Sequence, residues 1–156
     1  MALKEEKSFF IFKKKIIERE DGKEYLIRYS FPTCKWLPFS LKIHKIILSD
    51  NLKCLHDHPW KFWSFILKGG YYEYTPCINQ HKFDVTSNYN GTDMVKKWYG
   101  PFSFLRRPAH WIHGLEIPDG NPAWTFVITF KKYREWGFFT KNGFVNWRSY
   151  NSDMCE

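Results

Sequence analysis

Residues 55–73, LHDHPWKFWSFILKGGYYE, constrain the fold of this 156-residue chain more than any other stretch. His56 and His58 stand at i and i+2, so an extended backbone turns both imidazoles to one face. Two nitrogen donors so placed can grip a single metal ion. Residues 62–67 are aromatic and aliphatic almost without interruption and read as a strand buried on both sides. Gly69-Gly70 ends that strand in a tight turn. Residues 71–74 read as the next strand, carrying Glu73, the first carboxylate after the histidine pair.

A second piece lies at residues 106–113, RRPAHWIH, followed by strand-like residues 115–117. His113 comes five residues after Pro108, and the proline is expected to fix the angle at which the strand carrying His113 begins. The two pieces together resemble the cupin family. In that family a first motif supplies HxH, a glutamate a few residues on and a glycine closing the strand, and a proline-led second motif supplies a third histidine. His56, His58, Gly70, Pro108 and His113 fit this pattern, while Trp63 occupies the glutamate's position. Three readings follow: a three-histidine site, a site that Glu73 enters from the next strand, or a barrel without a metal.

Within the cupins the chain is similar to a group of small cupin-like proteins whose pattern reads roughly YLxRW, HxxxxSD, HDHPWDFxSxxLxGGYxE, a late HRLEL and RxWGF. The corresponding segments run in the same order here, from Tyr25 to Trp147. Two positions depart from the pattern. Lys61 replaces the acid after HDHPW, and Gly114 stands where an arginine follows the late histidine. The resemblance implies an all-β, single-domain jelly-roll barrel (a double-stranded β-helix) with an N-terminal hairpin and an aromatic C-terminal tail.

Composition agrees with one β-barrel domain. Aromatic residues make up 21% of the chain, enough to fill or line a barrel interior, and no stretch shows 3.6-residue periodicity over ten residues or more. Residues 1–8 are expected to be a frayed leader, residues 9–150 the barrel and residues 151–156 a tail. Asp21-Gly22 is a hairpin signal leading into strand residues 25–30, and residues 41–48 read as a strand ahead of the turn at residues 49–51. Residues 75–99 carry the weakest signal and read as a loop or hairpin insertion near the barrel mouth, with Asn90-Gly91 as a turn. Residues 133–147 are expected to pack across one end of the barrel.

The net charge of +8 favours an anionic partner. The lysines are scattered and not gathered into a tract, which argues against a nucleic-acid groove. No apolar run approaches 18 residues, so a membrane span is not expected. The four cysteines, Cys34, Cys54, Cys77 and Cys155, show no CxxC spacing, and in a cytoplasmic chain they are expected to be free thiols.

Three neutral imidazoles from His56, His58 and His113 suit a divalent transition metal: Fe(II), Mn(II), Ni(II), Cu(II) or Zn(II). Iron is favoured because an oxygenase would use the open coordination positions. The plain alternative makes His56 and His58 structural, hydrogen-bonded beneath an aromatic core. Asp57 points away from the histidines and is expected to hold a loop. His44, on the preceding strand, reads as a fourth ligand, a group bonded to a ligand, a catalytic base or a satisfied core histidine. Glu73 reads as a missing ligand, as a general acid or base with its pKa raised by neighbouring tyrosines, or as a solvated edge residue. Arg106 and Arg107 alternate in direction, so one is expected to face the cavity and clamp a carboxylate or phosphate, with Arg28 helping from the facing sheet. Tyr71 is a candidate acid. Tyr72 and Trp63 are core or a substrate platform, and His110 and His81 are surface residues unless His110 lies beside the metal.

Three functions are consistent with these residues. The first is a metal-dependent cupin enzyme, most simply a three-histidine oxygenase acting on a small anionic substrate. The second is an isomerase of the sugar-nucleotide epimerase kind, with His56 or His113 as base and Tyr71 or Tyr72 as acid. The third is a non-catalytic binder of a nucleotide or other small anion. A homodimer through the outer sheet is the expected assembly.

Overall fold

The computed structural model describes residues 2–9, 11–34, 36–77, 94–118 and 120–155. His81, the Asn90-Gly91 turn and Asp119 lie outside the described residues. Thirteen strands and one short 3-10 turn, Ser152–Cys155, make up the described elements. The all-β reading therefore holds, and among the described residues no helix is long and apolar enough to cross a membrane.

Strands β1 (Ala2–Phe9), β2 (Phe12–Glu18), β3 (Glu24–Ser30), β4 (Phe39–Ile46), β11 (Ala123–Phe130), β6 (Phe62–Lys68) and β9 (Phe104–Arg107) form a seven-stranded antiparallel sheet in that order. A second sheet orders β10 (Gly114–Glu116), β7 (Tyr71–Pro76) and β8 (Met94–Tyr99). A third orders β13 (Gly143–Asn146), β12 (Gly137–Thr140) and β5 (Leu55–His56). The neighbours in the large sheet jump from β4 to β11 and then to β6, the crossed connectivity of a jelly roll.

Residues 2–8, expected to be frayed, lie within a paired strand. Ala2–Phe9 pairs antiparallel with β2 from Ala2 opposite Glu18 to Phe9 opposite Phe12, with one register shift between Leu3 and Glu5, so the chain folds back as a hairpin. Of the loop or hairpin expected over residues 75–99, the described part is hairpin-like, with residues 94–99 forming β8 antiparallel to β7 along its whole length. Residues 62–68 are buried on one side only. Ser64 and Ile66 point inward and are buried, whereas Leu67 is exposed. The tail forms a hairpin of β12 and β13 with β12 also paired to β5, and its Trp136, Phe138 and Trp147 line the cavity.

The main apolar core packs Leu26, Ile46, Ile66, Leu105, Leu115 and Ile117 with the rings of Tyr25 and Tyr71. A cavity of about 530 Å³ borders this core, with Tyr25, Leu26, Ile46, Tyr71 and Leu115 on its wall, and is lined further by the inner face of the large sheet and by the aromatic tail. At β12, Gly137 is needed for close approach: a Cβ there would stand 2.1 Å from the Val145 carbonyl oxygen.

The expectation of four free thiols is corrected. Cys54 and Cys155 form a disulfide, Cα–Cα 5.5 Å, while Cys34 and Cys77 are free and exposed. Spacing gave no hint because the pair closes a 101-residue separation. A disulfide between Cys54 and Cys155 runs against the free-thiol state expected of a reducing compartment.

Candidate metal centre

His56 is the last residue of β5, and an antiparallel bridge joins it to His113: each backbone N–H donates to the other's carbonyl at 2.9 Å. His58 lies just beyond the strand, tied by its N–H to the Ala109 carbonyl at 2.9 Å. Pro108 opens a turn, closed by Trp111 N–H to the Pro108 carbonyl at 3.1 Å, so the chain doubles back before β10 instead of entering it from the proline. Gly114 makes room for this. A Cβ at that position would come within 2.9 Å of a Leu55 methyl, so an arginine in the manner of the similar group would press on the residue before His56.

These contacts gather three imidazoles. One ring nitrogen from each of His56, His58 and His113 lies within 4.8 Å of the other two. The Nε2 atoms of His58 and His113 are 2.8 Å apart. Two nitrogens bound at about 2.1 Å to one ion, about 90° apart, would sit about 3 Å from each other. The donor set therefore fits a metal. Protonation favours it as well: burial, with opposing effects from Asp50 and His113, lowers His56 to about 4, and burial with its cationic and histidine neighbours holds His58 well below the usual histidine range. Neutral rings keep their lone pairs for a ligand bond.

Glu73 is not a fourth member of this cluster among the described residues. Its Oε1 accepts from His113 Nδ1 at 2.7 Å, from Trp111 Nε1 at 3.2 Å and from Arg107 Nε at 3.1 Å, and Oε2 accepts from Arg107 Nη2 at 2.5 Å. The side chain is 3% exposed. Burial alone would raise its pKa, but hydrogen bonds and charge from His113 and Arg107 outweigh burial and bring it to about 2. The expectation of a raised pKa is thus reversed, and Glu73 is no proton donor at neutral pH. It fixes His113 with Nδ1 protonated, leaving Nε2 toward the cluster.

The remaining expected site residues sort by strand geometry. Arg107 is committed to Glu73 and does not line the cavity. Arg106 points outward, its guanidinium 5.1 Å from the Trp63 ring centroid. Trp63 packs outside the barrel with Phe104 and Phe130, because alternation along β6 sends Phe62 and Ser64 inward and the residue between them outward. The expected substrate roles of Arg106, Arg107 and Trp63 are therefore not supported by position. Tyr72 also faces outward, against Trp98 and Lys96.

Tyr71, His44 and Arg28 do line the cavity. Burial and the Glu73 charge push the Tyr71 phenol well up. His44 Nε2 accepts from Arg28 Nε at 3.1 Å, and burial beside Arg28 and Lys42 keeps the imidazole neutral, so its pairing is with the guanidinium and not with the three-histidine cluster. Asp57 holds structure, as expected. At 1% exposure it accepts from the Gly137 N–H at 2.9 Å and from Arg134 Nη1, fastening the HDH segment to β12. His110 is half-buried on the turn after Pro108, with its Nε2 enclosed and unpaired among the described residues.

Sequence reasoning missed Lys42 and Lys15, which also line the cavity. The signal was present in β4, where Lys42 and His44 share a face by two-residue alternation. It missed Trp60 too, whose ring lies 4.7 Å from the Lys42 ammonium.

The sequence matches no family model and no curated protein. Among solved structures, the chain is similar to Fe(II) HppE with a TM-score of 0.55 and 9% identity, the match covering 83% of this chain and 64% of that one. Fe(II)-HppE with an alternative substrate gives 0.53 and 11%, covering 75% and 56%. Hydroxypropylphosphonic acid epoxidase from S. wedmorenis gives 0.50 and 11%, covering 75% and 55%. The chain thus spans less than two thirds of the length of these proteins. The likeness supports a cupin-like barrel fold.

Proposed function

We propose that this protein is a metal-dependent cupin enzyme, most simply a three-histidine, iron-type oxygenase acting on a small anionic molecule. The observation that carries the reading is the convergence of His56, His58 and His113 nitrogens on the wall of a cavity large enough for a small substrate. A divalent transition metal held by three imidazoles would leave coordination positions for substrate and O₂. The chain's own contribution is to hold the His56 and His58 rings neutral, to orient His113 through Glu73, and to enclose the site between the sheet and the aromatic tail. Iron is preferred over zinc, manganese or nickel only for the oxygenase reaction, and the iron-bearing state of the similar solved structures is consistent with that preference.

The epimerase-like alternative is less well supported, because its tyrosine acid would be Tyr71, whose phenol is held up in pKa by burial and Glu73. Fe(II)-loaded protein offered a panel of small phosphonates and carboxylates in an oxygen electrode tests the function. Substrate-dependent O₂ consumption is expected. Conversion of an anion without O₂ uptake would favour the isomerase, and tight binding without conversion would favour a binder. A homodimer remains our proposal for the assembly, supported by exposed Val95, Trp98, Phe102 and Phe104, and light scattering tests it.

A further inference from the structure

The large sheet carries a row of polar side chains into the cavity. Lys15 on β2 stands opposite Arg28 on β3, Arg28 opposite His44 on β4, and His44 opposite Thr125 on β11. Directly opposed residues in antiparallel strands share a face, and all four line the cavity. Lys42, two residues before His44, joins them on the same face. Three cationic side chains therefore enter one cavity, and no aspartate or glutamate is among the described residues that line it.

Buried or half-buried cations ordinarily have acidic partners, because desolvating an unpaired charge is costly. Here they do not. Arg28 spends its Nε on His44, and among the described residues its two terminal nitrogens have no hydrogen-bonded partner. Lys42 donates to Thr129 Oγ1 at 2.6 Å and lies over the Trp60 ring, leaving N–H donors of its ammonium toward the cavity. Arg28, Lys42, His44, His56, His58 and His113 all line this one cavity, so the cations and the histidine cluster share its wall. Glu6, opposite Lys15 on β1, makes its ion pair with Lys13.

We propose that Arg28, Lys42 and Lys15 form a cradle for a doubly charged tetrahedral oxyanion, the phosphate or phosphonate head of a small organic molecule, beside the three-histidine cluster. A lone carboxylate offers one charge and two oxygens in a plane. A phosphoryl or phosphonyl group offers two charges and three oxygens in different directions, matching a guanidinium fork and an ammonium that approach from neighbouring strands. The rest of the ligand would lie against Trp60, Trp136 and Trp147, which line the same cavity. The proposal deepens the small-anion reading above and rests on it, but the cradle is built from residues outside the metal cluster.

Calorimetric titration of metal-free protein with inorganic phosphate and with methylphosphonate tests the cradle, using acetate and succinate as planar competitors. The wild type and a His56→Ala/His58→Ala variant are expected to bind phosphate alike. Arg28→Met and Lys42→Met are each expected to weaken it about tenfold or more. Arg28→Lys, which keeps the charge and loses the fork, is expected to fall between the wild type and Arg28→Met and guards against misfolding of the methionine variant, checked by circular dichroism. No phosphate binding by the wild type, full binding by both methionine variants, or acetate or succinate binding as tightly as phosphate would overturn the proposal. Phosphate binding by a protein that takes up no metal would instead leave the cradle standing and defeat the metalloenzyme reading.

Discussion

The Nδ1–H of His113 donates to Glu73 Oε1 across 2.7 Å, and the same carboxylate is gripped by Arg107 from the other side. A metal-binding histidine whose far nitrogen is anchored in this way has its tautomer and ring plane set before any ion arrives. Glu73→Gln keeps an oxygen acceptor and removes the charge. It should weaken metal affinity about 10- to 100-fold, measured by competition with a chromophoric chelator. Affinity equal to the wild type would show that His113 needs no such anchor.

The Asp57–Arg134 pair is the structural counterpart of that anchor. It joins the HDH segment to the turn before β12, and β12 pairs with His56 itself. Burial tends to raise the Asp57 carboxyl, and the Gly137 N–H and Arg134 oppose it. Arg134→Met would strand a buried carboxylate, and a loss of about 3 kcal/mol is expected in urea unfolding at neutral pH. A change below about 0.5 kcal/mol would mean that the pair is ornamental.

Much of this was legible in the sequence. HxH, the proline-led histidine and the Gly-Gly turn located the cluster, because metal chemistry and two-residue strand alternation leave a direct imprint on residue spacing. Trp63 and Arg106 were misplaced for a different reason. Which way a β6 or β9 side chain points depends on strand register, and a shift of one residue exchanges cavity for surface. The Glu73 carboxylate was noticed but its role was not, since the partners that lower its pKa, His113 and Arg107, arrive from 40 and 34 residues away. Lys15 and Lys42 look like ordinary surface lysines until β2, β3 and β4 are laid side by side.

The Cys54–Cys155 disulfide closes a loop of about a hundred residues and ties the 3-10 turn to the residue before β5. Chain-entropy reasoning gives it about 4–5 kcal/mol, so thermal melts with and without a strong reductant should differ by roughly 10 °C or more. Coincident melts would indicate that the bond does not form in solution.

Lys42 supplies a pH signature for anion binding. Burial, with the Arg28 charge adding to it, lowers its pKa to about 8. The groups facing it are Arg28, His44 and the Thr129 hydroxyl, and of these only Lys42 changes charge in the mildly alkaline range. As pH rises through about 8 the ammonium loses its proton, so affinity for a permanently dianionic ligand should fall. Below about 6 a phosphate monoester itself becomes a monoanion, so affinity should fall there too, giving a maximum near neutrality. Lys42→Met should abolish the alkaline limb and keep the acid one. An alkaline limb that survives in Lys42→Met would assign it to another group.

The most direct test of the central claim is elemental analysis of protein purified without a histidine tag, beside a His56→Ala/His58→Ala variant, each before and after incubation with Fe(II), Mn(II) or Zn(II). The three-histidine account predicts close to one transition-metal ion per wild-type chain and none in the variant. A wild-type protein that carries no metal and takes up none, or a variant that retains it, would contradict the account.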